Sequence, residues 1–131
     1  MLTDKTRALA QGPNFAVLTT MLPSGTPQSH VMWVDADDDH LYVNTEIHRR
    51  KFKNIEENPR ATVVIMENGN PWSFSEVRGT VVETIGGQRA RDHIDELSNK
   101  YLGKDYANAI QSERVILKIA PDREFTFPPG G

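Results

Sequence analysis

The chain has 131 residues, 37% of them hydrophobic and 25% charged, which fits one soluble domain around a single core. A net charge of −3 speaks against a general nucleic-acid binder, and the lack of cysteine removes disulfides, thiolate catalysis and cysteine-held metals. No apolar run approaches the ~20 residues of a membrane helix, and the opening MLTDKTRALAQGPN has no signal-peptide core, so the expected setting is cytoplasmic, away from membranes.

In chain order, residues 3–11 read as a short helix, stopped by Gly12 and Pro13. NFAVLTTM (14–21) reads as a strand. The turn PSGT (23–26) leads to a second strand, PQSHVMWVD (27–35), forming a hairpin with the first. A polar turn at Asp37-Asp38-Asp39 precedes a third strand, HLYVNT (40–45). Over residues 50–58 the period changes: Phe52 and Ile55 stand three apart among polar residues, which is a short amphipathic helix ended by Pro59. RATVVIME (60–67) is a fourth strand, NGNP a loop, and residues 72–85 a long fifth strand in which Gly79 predicts a bulge or bend. Gly86-Gly87 opens a helix with Ala90, Ile94, Leu97 and Tyr101 on one face and Gly103 as its stop. Residues 104–112 read as either a helical turn or a loop. ERVILKIA (113–120) is a sixth strand that residues 124–127 would extend. Six strands joined mostly by short turns predict a mainly β protein, a closed or nearly closed antiparallel barrel with a few short helices, in one domain over 1–131.

The segment NTEIHRRKFKNIEEN (44–58) is the richest in chemistry. Arg49, Arg50, Lys51 and Lys53 give residues 48–54 four positive charges and no acidic residue, on a chain that is acidic overall. They fall between a strand end and a helix start, where unpaired backbone N–H groups and the helix dipole favour an anion. Arginine adds a fork, lysine a point charge and Thr45 a hydroxyl, the parts of a phosphate cradle. The alternative at this point is an exposed helix face that is simply solvated. No Gly-rich phosphate loop and no HExxH is present, the four histidines show no metal-ligand spacing, and the aspartates of 35–39 lack the rest of a calcium loop, so no metal site is expected. Of the histidines, His30 lies nearest the expected site. Trp33 reads as core or interface, and Trp72 as core or the wall of a site.

The stretches AVLTTMLPSGTPQSHVMWVDADDDHLYVNT, RRKFKNIEENPRATVVI, EVRGTVVET, HIDELSNKYLGKDY and ERVILKIAPDR span nearly the whole chain. Together they resemble the pyridoxamine 5′-phosphate oxidase-like superfamily of FMN-binding split barrels. Within it they look like the small branch of deazaflavin (coenzyme F420)-dependent oxidoreductases. The resemblance implies a six-stranded antiparallel split β-barrel, a homodimer, and cofactor sites along the interface. It implies phosphate ligands at Thr45, Arg49, Lys51 and Asn54, with Arg50 as the alternative to Arg49. Met32, Trp33 and Val34 would line the ring, and Trp72 would reach across from the second subunit. The sequence departs from the pattern near Val31, where relatives often carry proline, and it supplies no dedicated proton donor. The implied function is hydride transfer between reduced F420 and a small unsaturated acceptor, the cofactor being re-reduced by a separate dehydrogenase. The alternatives are an FMN enzyme of the same fold and a non-catalytic flavin or deazaflavin carrier.

Overall fold

The computed structural model describes residues 1–129, and its element order is α1 (Asp4–Gln11), β1 (Phe15–Met21), β2 (Pro27–Met32), β3 (Asp35–Ala36), β4 (Leu41–Glu46), α2 (Arg50–Glu57), β5 (Arg60–Glu67), β6 (Asn70–Ile85), α3 (Gly87–Leu102) and β7 (Arg114–Phe127). One antiparallel sheet holds all seven strands in the order β2-β1-β5-β6-β7-β4-β3. Its two edges, β2 and β3, are neighbours in the chain, separated only by Trp33 and Val34. The sheet therefore curls until its edges face each other, and the split in the barrel lies at those two residues.

The seventh strand corrects the expected count of six. The predicted second strand, 27–35, is broken after Met32, and the two-residue β3 pairs instead with β4. The cause is local competition for backbone groups. The Val34 N–H donates to the Tyr101 hydroxyl at 3.1 Å and the Val34 carbonyl accepts from Lys100 Nζ at 2.5 Å. Side chains of α3 thus take bonds that a neighbouring strand would otherwise make.

The alternation of the strands decides which face is buried. Ala16 and Leu18 of β1, Val63 and Ile65 of β5 and Val77 of β6 point into the curl. There they meet Leu41 and Val43 of β4 and Leu117 and Ile119 of β7. Helix α1 closes over this inner face through Leu9 and Ala10, with Thr3 capping its first turn and the Thr6 hydroxyl bonded to Ser75 of β6 at 2.5 Å. Helix α3 buries the predicted Ala90, Ile94 and Leu97 and ends at Gly103, whose φ of 76° is the left-handed conformation that glycine adopts freely. Residues 103–113 form a loop without helix or strand.

The predicted bulge is present: the β6–β7 register shifts between Arg78 and Gly79. A Cβ at Gly79 would stand 2.5 Å from the Ala120 carbonyl oxygen, so only glycine permits this approach. The bulge also lets Pro121, which has no N–H, sit inside β7 opposite Gly79, and the two halves of the last predicted strand become one.

Candidate cofactor site

Strand β4 and helix α2 carry the basic segment, and the turn between them folds it back on itself. Arg49 occupies the N-cap of α2, and its Nη2 lies 3.3 Å from Glu46 Oε2. Lys51, one residue into the helix, turns inward and is 9% exposed. Its Nζ donates to Met32 Sδ at 3.4 Å, and it enters no ion pair among the described residues. Burial pushes its pKa below the ordinary lysine value, and the positive charges of Arg49 and Arg114 push in the same direction. Thr45 is fully buried, and its hydroxyl has no hydrogen-bond partner among the described residues.

Asn54, on the next turn of α2, is also fully buried, but its amide is already occupied. Nδ2 donates to Thr20 Oγ1 at 3.0 Å and to Gln28 Oε1 at 3.2 Å, while Oδ1 accepts from Arg50 Nε at 2.8 Å. Asn54 therefore fastens α2 to β1 and β2, and it holds Arg50 along the exposed side of the helix. Arg49 and Arg50 diverge: Arg49 faces the cavity described next and Arg50 does not.

A cavity of about 270 Å³ opens at the split of the barrel. Met32, Trp33 and Arg49 line it, together with Asn44, Tyr106 and Arg114. Trp33 stacks on Tyr101 with ring centroids 5.2 Å apart and meets Tyr106 edge-on at 6.4 Å. Val34 is fully buried in the core and does not reach the cavity. Trp72 stands 76% exposed near the start of β6, away from this cavity within the chain. His30 is exposed on β2.

Sequence reasoning did not find the polar network behind the cavity. Glu46 is 1% exposed and accepts from the backbone N–H groups of Gln111 and Ser112, both at 2.8 Å. It also receives Arg114 Nη1 at 3.4 Å. Arg114 Nε donates to Asn44 Oδ1 at 2.8 Å, and Asn44 Nδ2 donates to Ala90 O and His93 Nδ1, each at 3.0 Å. Burial alone would raise the Glu46 pKa. The two N–H donors, with Arg114 and Arg49, outweigh it and hold the carboxyl below its ordinary value. Burial likewise lowers the pKa of Arg114 and of His93. Arg49 and Arg114 thus share one carboxylate, and Lys51 stands close enough to both arginines to feel their charge. Of the predicted phosphate ligands only Arg49 lines the cavity, where Arg114 joins it. Lys51 and Thr45 lie behind the cavity wall, the one without a carboxylate and the other with an unbonded hydroxyl among the described residues. That donor set fits a phosphate.

The family model described as pyridoxamine 5′-phosphate oxidase matches residues 2–127. The chain belongs to the pyridoxamine 5′-phosphate oxidase family. Among solved structures, one named F420 reductase is similar to this family member at 25% identity, with a TM-score of 0.82, covering 95% of this chain and 98% of that one. General stress protein 26 from Bacillus anthracis is 24% identical with a TM-score of 0.68, covering 94% and 91%. A putative pyridoxamine 5′-phosphate oxidase from Listeria innocua is 20% identical with a TM-score of 0.64, covering 91% of each chain. No curated protein sequence matches. Among the described residues no helix is long and apolar enough to cross a membrane, and no group of three potential metal ligands occurs.

Proposed function

We propose that this chain is a cytoplasmic oxidoreductase that transfers a hydride between reduced coenzyme F420 and a small unsaturated acceptor. The observation that carries the proposal is Lys51, a buried ammonium whose only hydrogen-bond partner among the described residues is a thioether. An unpaired buried cation costs stability, and a ligand phosphate is the group that would compensate it. Family membership and the similarity to an F420 reductase support the choice of cofactor class.

In this reading Arg49, Lys51 and Thr45 hold the phosphate, and Arg114, paired with the same Glu46 oxygen as Arg49, adds positive charge. Met32 and Trp33 flank the ring system. The apolar wall of Phe15, Ile94 and Leu97 excludes water from it. When bound, the reduced deazaflavin supplies a hydride, and the protein's part is orientation, electrostatics and desolvation. Trp72 and the exposed phenylalanines of the sheet belong, in the same reading, to the contact with a second copy.

The test is a parallel titration of the purified chain with F420 and FMN, followed by tryptophan fluorescence. An acceptor panel of conjugated carbonyl compounds is then offered with reduced cofactor. F420 is expected to quench the fluorescence and to support turnover. Stoichiometric FMN in the purified protein that F420 does not displace would instead establish the FMN enzyme, and binding without turnover a carrier.

A further inference from the structure

Away from the cofactor site, the outward-facing residues of the sheet form rows that cross the strands. One row runs Ser29, Thr19, Thr62, Arg78, Arg123 over β2, β1, β5, β6 and β7, each residue directly opposite the next. Arg60 stands in the adjacent row opposite Thr80. Arg60, Arg78 and Arg123 line a single cavity of about 630 Å³, floored by Gly79 at the bulge.

The charge arrangement there is unfavourable as it stands. Like charges directly opposite each other across two strands destabilise a sheet. Arg78 Nε donates to Glu76 at 2.7 Å, but its terminal nitrogens bond nothing among the described residues. The side chains of Arg60 and Arg123 make neither a hydrogen bond nor an ion pair among the described residues. The one acid lining the cavity, Asp122, accepts the Thr80 hydroxyl at 2.7 Å. Three guanidinium forks thus converge on a hydroxyl-lined depression with one acid, itself bonded to a hydroxyl.

We infer that Arg60, Arg78 and Arg123 form a second anion site, which takes a small ligand bearing two or more phosphate or carboxylate groups. Planar forks on adjacent strands match the paired oxygens of such a ligand, and the flanking threonines supply hydroxyl donors. The negative charge of the whole chain sets the scale of the ligand, because an extended polyanion such as nucleic acid would meet repulsion beyond this depression. The site is independent of the proposed cofactor reading.

Calorimetric titration of the full chain at physiological salt tests it, with pyrophosphate and citrate as separate probes. Wild-type, Arg123→Gln and Lys51→Gln proteins are compared. Binding is expected to persist in Lys51→Gln and to weaken at least tenfold in Arg123→Gln. Pyrophosphate alone binding would identify a phosphorylated ligand, and citrate alone a polycarboxylate. Binding of neither probe, loss of all binding in Lys51→Gln, or an unchanged affinity in Arg123→Gln would overturn the inference. Thermal melting gives a second readout. Without anions Arg123→Gln is expected to melt above wild type, because a repulsion is gone, and with the bound anion the order reverses. An Arg123→Gln chain that melts below wild type in anion-free buffer would show the guanidiniums already satisfied, which also overturns the inference.

Discussion

Lys51 and Glu46 make opposite contributions at the scale of single residues. Lys51 has a folded-state pKa below its unfolded value, so the unfolded chain binds more protons between the two. Stability of the cofactor-free protein is therefore expected to rise with pH through that window, which closes at the ordinary lysine value of 10.5. Lys51→Met should remove this share of the pH dependence and raise the melting temperature. It should also weaken phosphate-bearing ligands ten- to a hundredfold, since a charge-assisted contact is worth roughly 1.5–3 kcal/mol. A Lys51→Met protein with undiminished ligand affinity would remove Lys51 from the site. Glu46, with its pKa held down, stabilises the fold above the ordinary glutamate range, and that contribution is lost as pH falls through the folded value. Glu46→Ala strands Arg114 without its carboxylate and is expected to cost about 3–5 kcal/mol in urea unfolding. The basic half of the site was legible because its residues are consecutive. Glu46, Asn44 and Arg114 were not. The contacts that define their network span 46 to 70 positions, and each reads locally as an ordinary polar residue in a strand.

At the scale of elements, periodicity and punctuation were sufficient wherever one force decided the outcome. Pro59 ends α2, Gly103 ends α3, and the bulge falls at Gly79 as its isolated position in a strand implied. The break between β2 and β3 was illegible, since HVMWV carries no turn residue and the competitor for its backbone lies on α3, more than 60 positions away. Gly79→Ala is a sharp test of the bulge. Its methyl would meet the Ala120 carbonyl and the Ile119 side chain, and the first of these is backbone that cannot swing away. A loss of about 1–3 kcal/mol in denaturant unfolding is expected, and an unshifted midpoint would mean that β6 and β7 are free to separate there.

For the whole molecule, the outward rows beside the arginines decide the expected assembly. Phe15, Met66, Phe74 and Phe127 form one row across four strands. Val31, Val17, Val64, Glu76 and Phe125 form the next, with Val31 67% and Phe125 54% exposed. Contiguous apolar surface of this kind is uncommon on a monomer. Light scattering is expected to give twice the mass of one chain at micromolar concentration, and Phe125→Asp to shift it toward the monomer. A monomeric wild-type protein with full cofactor binding would count against a shared site.

Strand β7 pairs with β6 on one side and β4 on the other, so it is the stave that holds the two halves of the sheet together. During synthesis this imposes a strict order. Until Arg114–Phe127 has left the ribosome, β4 has only the two-residue β3 beside it, and one edge of β6 has no partner strand. Until β7 emerges, the paired unit β2-β1-β5-β6 therefore carries one long open edge on β6, and β4 stands outside that unit. Arrested chains cut before Arg114 are expected to be sensitive to protease throughout. Release of the last strand should convert them to a protected form in one cooperative step rather than by gradual growth from the first hairpin.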